Sequence, residues 1–226
     1  MLLLAADTSG KFGSIVVARC EPPSSCEVLG IAALEGGTFS AQLIPQIAAL
    51  LKRLGLSKSD IEGFAVVSGP GSFTGLRIGL AAIKALAEIL GKPIAAISLL
   101  EAVAAAANTT GRVTSALEAG RGEIYIAEYA TGEAEAILSS AAHEQLCTRE
   151  EFIARASALV VTPDARIADL ARAAGKQVLQ VDCPHADAIA ALGWKKMQAH
   201  MLVSPEELEA NYIRRTDAEL LSKLGG

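Results

Sequence analysis

Short, unbroken apolar runs and longer runs with helical spacing alternate along the first half of this chain. Residues 1–6 are continuously apolar and stop at Asp7-Thr8-Ser9-Gly10, which reads as a buried strand entering a turn. Residues 14–18 and 28–34 repeat the short form, so the chain opens with three strands. The period then changes. Over residues 41–54, Leu43, Ile44, Ile47, Leu50, Leu51 and Leu54 keep helical spacing, with Gly55 as the C-terminal cap. Pro45 lies too deep for a helix capped by Ser40, so a late start or a kink is expected. Ser57-Lys58-Ser59-Asp60 reads as a short capped turn, and residues 64–68 as a fourth strand. A glycine-rich loop, Gly69-Pro70-Gly71-Ser72-Phe73-Thr74-Gly75, leads into a helix over residues 75–90, stopped by Gly91 and Pro93. Residues 94–97 form a fifth strand, and Ser98-Leu99-Leu100-Glu101 is a capping box opening a third helix.

The second half is more polar. Residues 113–118 and 124–129 bracket Gly120-Arg121-Gly122-Glu123 as a hairpin. Capping boxes recur at Thr148-Arg149-Glu150-Glu151 and Ser204-Pro205-Glu206-Glu207. Strands at 159–162 and 177–181 flank a helix over 165–174. The order βββαβαβα in residues 1–109 is that of one ribonuclease-H-like lobe, a mixed sheet with helices on its faces. Residues 110–226 read as a reduced second copy with a C-terminal helical segment, giving a two-lobed α/β protein.

Composition narrows the functions available. The 226 residues are 51% hydrophobic and 20% charged, too apolar for disorder. A net charge of −5 and 4% aromatic residues make a poor grip on nucleic acid and a poor base-stacking platform, so contact with RNA is expected only through a partner. The four cysteines form no C-x-x-C and the three histidines no H-x-x-x-H. The expectation is therefore free thiols in a reducing compartment, with no metal site. The first apolar run is too short for a signal peptide or a membrane anchor, which points to the cytoplasm.

Candidate chemistry concentrates around the glycine loop. Gly69, Gly71 and Gly75 permit close backbone approach, and Thr74 can cap the helix that follows. Gly69, Gly71, Ser72, Thr74, Gly75 and Arg77 therefore form either a phosphate cradle at a helix N-terminus or a tight structural turn. The Walker lysine is missing, so the loop is not a P-loop. Asp7, ending the first strand, either holds a metal-bound phosphate or satisfies its own turn. Ser72 has no readable His–Asp partners. In the helix after the loop, the only charged residues are Arg77, Lys84 and Glu88, which form one narrow stripe. Together with the helix before it, this element carries more apolar surface than one sheet face requires, which marks a protein interface.

Gly69-Pro70-Gly71-Ser72-Phe73-Thr74-Gly75-Leu76-Arg77-Ile78-Gly79 resembles the signature of the TsaB family of the bacterial tRNA threonylcarbamoyladenosine system. Residues 4–9, 42–45, 97–100 and 122–129 and the closing Tyr212-Ile213-Arg214 extend the likeness. The resemblance implies an actin-like fold and a non-catalytic dimerisation subunit. It would pair with a catalytic TsaD-like subunit and a TsaE-like ATPase, meet tRNA only through that complex, and form a homodimer when alone. It further implies partner contact through the first-lobe helices, for which Leu43, Ile47, Leu50, Leu76, Gly79, Leu80 and Ile83 are the expected residues. No tightly bound cofactor is expected; ATP or ADP at the junction with the partner would meet the glycine loop and Asp7. Two alternatives remain: a free-standing ATP-dependent kinase-like phosphotransferase using Asp7 and the glycine loop, and a peptidase-like protein.

Overall fold

The computed structural model describes residues 1–23, 25–131 and 143–213. Three strands open it as an antiparallel meander: β1 (Leu2–Asp7), β2 (Phe12–Glu21) and β3 (Ser25–Glu35). Helix α1 (Phe39–Arg53) leads through a 3₁₀ turn at Lys58–Asp60 to β4 (Gly63–Gly69), parallel to β1. Helix α2 (Phe73–Leu90) returns the chain to β5 (Ile94–Ser98), parallel to β4. The sheet order is β3-β2-β1-β4-β5.

The second sheet repeats this topology. After α3 (Leu99–Ala106), β6 (Gly111–Gly120), β7 (Glu123–Thr131) and β8 (Gln145–Cys147) form another antiparallel meander. Helix α4 (Arg149–Arg155), strand β9 (Leu159–Thr162), helix α5 (Ala165–Ala173) and strand β10 (Gln177–Gln180) follow, and the order is β8-β7-β6-β9-β10. The third helices cross over. Helix α3 lies on β6 and β7, whereas α6 (Ala186–Gln198) lies across β1, β2, β4 and β5. With α1 and α2 on its other side, the first sheet is buried on both faces, so β1 and β4 are continuous apolar runs rather than alternating ones. Gly193 brings α6 tight onto the sheet: a Cβ there would stand 2.5 Å from Ala65 Cβ.

Several expectations are corrected. Helix α1 starts at Phe39 and runs without interruption through Pro45. The carbonyl of Ala41 that Pro45 leaves without a helical donor faces solvent, since both residues are exposed, so water can satisfy it. Strand β8 and helix α6 had no sequence reading: one is three residues long, and the other has an apolar pattern broken by Gly193. At 204–207 the reciprocal Ser204–Glu207 bonds form, but they close only a turn. Residues 208–213 of the expected C-terminal helical segment form no helix, and residues 214–226, with Arg214, lie outside the described residues. Cys20 and Cys26 face each other across the β2–β3 hairpin, Cα–Cα 4.1 Å, and are bonded, so two of the four expected free thiols are paired. A spacing of six residues carries no hairpin register, which is why the pair was not legible.

Candidate functional site

The C-terminal end of β1 and the glycine loop form one unit. The Asp7 side chain folds over its own turn, with Oδ1 accepting from Ser9 N (2.8 Å) and Ser9 Oγ (2.6 Å). Burial pushes its carboxyl above the usual 3.8, and the two bonds from Ser9 only partly offset this. The loop presses on that turn. A Cβ at Gly71 would stand 2.6 Å from Ser9 O, and one at Gly75 2.0 Å from Thr8 O. Ser72 N donates to Ser9 O at 2.7 Å, and Thr8 Oγ1 to Gly75 O at 2.7 Å. These glycines serve close packing of backbone on backbone. Ser72, not Thr74, caps α2, its Oγ accepting from Gly75 N at 3.3 Å. The helix begins at Phe73 rather than Gly75, so the capping position falls on Ser72.

Ser72, Thr74 and Gly75 line an open groove of about 880 Å³ with Ser9, Lys11 and Glu35, where the N-terminal ends of α1 and α2 converge. Asp7, Gly69, Gly71 and Arg77 do not line it. Arg77 is drawn away: its Nε donates to Tyr212 Oη at 2.9 Å, and its guanidinium lies 3.7 Å from the centre of the Phe73 ring. Gly69, at φ 135°, lies under the C-terminal segment, where a Cβ would be 2.8 Å from Asn211 O.

The seven residues expected to contact a partner are all inside the monomer. Leu43 and Leu50 are 1% exposed and Ile83 is fully buried; Ile47, Leu76 and Leu80 are buried too. Gly79 faces inward, where a Cβ would stand 2.3 Å from Thr8 Oγ1. Helical spacing picks out the strongest apolar stripe, and that stripe covers the sheet. What the helices turn outward is nonetheless apolar. Ala41, Ile44, Pro45, Ala48 and Ala49 lie outside on α1, and Ile78, Ala81, Ala82, Ala85 and Ile89 outside or half-outside on α2. Ile44 is 48% exposed and Ile89 75%. The charged flank of α2 is covered by the C-terminal segment, through Arg77 to Tyr212 and through Lys84 Nζ to Glu206 O (3.3 Å). Sequence reasoning missed this outer face because alanines dominate it and weigh little in a periodicity count.

Two ribonuclease-H-like lobes with a carboxylate at the end of β1 define an actin-like α/β fold. Residues 36–207 match the family model for TsaD: tRNA N6-adenosine threonylcarbamoyltransferase. The chain belongs to that family, and proteins named TsaB are among its relatives. It is 35% identical to the tRNA threonylcarbamoyladenosine biosynthesis protein TsaB of Bacillus subtilis over 114 residues, 45% of this chain and 50% of that protein. Against the TsaB of Escherichia coli it is 38% identical over 95 residues, 41% of each chain. The chain thus spans about half the length of the curated relatives it matches. In fold it is similar to YeaZ from Pseudomonas aeruginosa, with a TM-score of 0.74, 22% identity, and 93% of this chain and 99% of that one covered. Lmo2764 of Listeria monocytogenes shares the fold more distantly, at a TM-score of 0.55 and 12% identity over 88% of this chain and 100% of that one. No helix among the described residues is long and apolar enough to cross a membrane.

Proposed function

We propose that this chain is a non-catalytic cytoplasmic subunit in the formation of threonylcarbamoyladenosine on tRNA, and that its outer α1/α2 face docks a TsaD-type catalytic subunit. The observation that carries this reading is the outer face itself. Ile44 and Ile89 stand exposed among alanines on two adjacent helices, where small side chains allow another helix pair to come close. A stable docking of this kind buries at least about 1,000 Å² in total.

The chain's own groups work by position. Asp7 is spent on its turn and Arg77 on Tyr212, so neither is poised for phosphoryl transfer, which disfavours the kinase-like alternative. The net charge of −5 makes direct tRNA binding unfavourable, so tRNA would be met through the complex. A TsaE-type ATPase would join the assembled pair. Alone, the chain would cover the same face with a second copy. The groove beside Lys11 and the two helix ends would hold any ATP or ADP at the junction, without the tight grip of a resident cofactor.

Reconstituted tRNA modification with and without this chain tests the role. A rate that falls by about tenfold or more on omission is expected; a full rate without the chain would refute it.

A further inference from the structure

We propose that Glu144 and Asn211 are positioning residues whose hydrogen bond latches a C-terminal strap, residues 203–213, and that the latched strap holds the glycine loop and the start of α2 in place. Glu144 lies where three separate parts of the molecule meet. Its Oε1 accepts from Ser98 Oγ, the cap of α3, and from Tyr129 Oη on β7 at 3.1 Å. Its Oε2 accepts from Asn211 Nδ2 on the strap, at 2.5 Å. The carboxyl group therefore joins both sheets to the strap, and the bonds from Ser98, Tyr129 and Asn211 partly offset the burial that pushes it above the ordinary carboxylate range.

The strap carries this connection to the partner-facing helix. Val203 N donates to Ile94 O at 2.9 Å, covering the edge of β5, and Leu208 is buried in the main core. Asn211 N donates to Ser68 O at 2.8 Å, beside the glycine loop. One residue on, Tyr212 accepts from Arg77 and stacks near Phe73, ring centres 5.0 Å apart, on the first turn of α2. A short segment without regular structure is held by few bonds, so losing one of them changes its opening directly. The effect on docking rests on the reading of α1 and α2 as the partner face; the latch itself does not.

The test is hydrogen exchange on residues 66–80 and 203–213 of the whole chain, with titration of a TsaD-type subunit alongside. Asn211→Asp sets a second carboxylate against that of Glu144, which no rotation of either side chain relieves. Exchange in both segments is expected to rise roughly tenfold, and affinity for the subunit to fall several-fold. Adding Glu144→Gln to Asn211→Asp exchanges donor and acceptor. The amide nitrogen now at position 144 would give to the carboxylate now at position 211, while the amide oxygen still accepts from Ser98 and Tyr129. Protection and affinity should return in the double variant. Tyr212→Phe, on a half-exposed residue that folding does not need, should loosen the strap's far end about two- to threefold. Unchanged exchange in Asn211→Asp, or a double variant as loose as the single, overturns the latch. Exchange that follows the pattern while affinity stays constant upholds the latch and removes α2 from the partner face instead.

Discussion

The two lobes share one strand topology, but their helices at matching positions differ in size and character. Between the third and fourth strands, α1 has 15 residues with Lys52 and Arg53 as its charges, whereas α4 has seven and carries Arg149, Glu150, Glu151 and Arg155. Between the fourth and fifth strands, α2 has 18 residues and three charges, whereas α5 has nine and also three. The second lobe shows how little helix a five-stranded sheet of this kind needs: two short amphipathic elements with wetted outer faces. The first lobe's added length and its apolar outer surface are thus surplus to folding. Exposed apolar helix of this extent is what the proposed docking face would require.

This contrast predicts that the inner faces of the two helix pairs behave alike and the outer faces do not. Ile83→Ala in α2 and Ile167→Ala in α5 should each cost about 2 to 5 kcal/mol in urea unfolding, because both side chains are buried against their sheet. A cost at Ile167 below about 1 kcal/mol would mean that the second lobe is not packed on the same principle. Gly79→Ala comes next. Its methyl meets Thr8 Oγ1 and disturbs the bond from Thr8 to Gly75, at a cost of about 1 to 3 kcal/mol by thermal unfolding.

The sequence was most legible where local rules and burial agree. Continuous apolar runs marked β1 and β4 because helices cover that sheet on both sides, and Thr148 and Glu151 form the reciprocal capping box their spacing announces. The glycine loop was found and close backbone approach was one of its two readings, but not the backbone it presses against, which lies far back in the chain at Thr8 and Ser9. Ser98 caps α3 as its position suggests, yet Glu101 turns away to pair with Lys196 at 2.8 Å, a contact made possible only by the crossing of α6. Helical spacing singled out the two helices that carry an apolar outer face and chose their inward residues, because the period reports the most apolar stripe and says nothing of which side the sheet occupies. The Arg77–Tyr212 and Glu144–Asn211 contacts span 135 and 67 positions and follow from no local pattern.

Two smaller effects sharpen the contrast further. Asp7 is buried with its carboxyl held above 3.8, so ionising it works against the folded state. Its contribution falls as pH rises from that value through the raised one. Asp7→Asn keeps an oxygen acceptor for Ser9 and removes the charge. The variant should match the parent near about pH 3 and be the more stable of the two near about pH 7, as read by thermal unfolding at both. An advantage at the acid end instead would reverse the assignment of burial as the dominant cause. Smallest of all, Ile44→Glu with Ile89→Glu should change stability by less than about 0.5 kcal/mol per site, since neither outer side chain supports the fold.

That same double variant supplies the decisive comparison when a TsaD-type subunit is titrated into it and into the parent chain by calorimetry. The parent should bind, and two carboxylates set into the outer face of α1 and α2 should weaken the association at least about a hundredfold while the monomer stays folded. Equal affinity in the two titrations would show that this face is not where the partner sits.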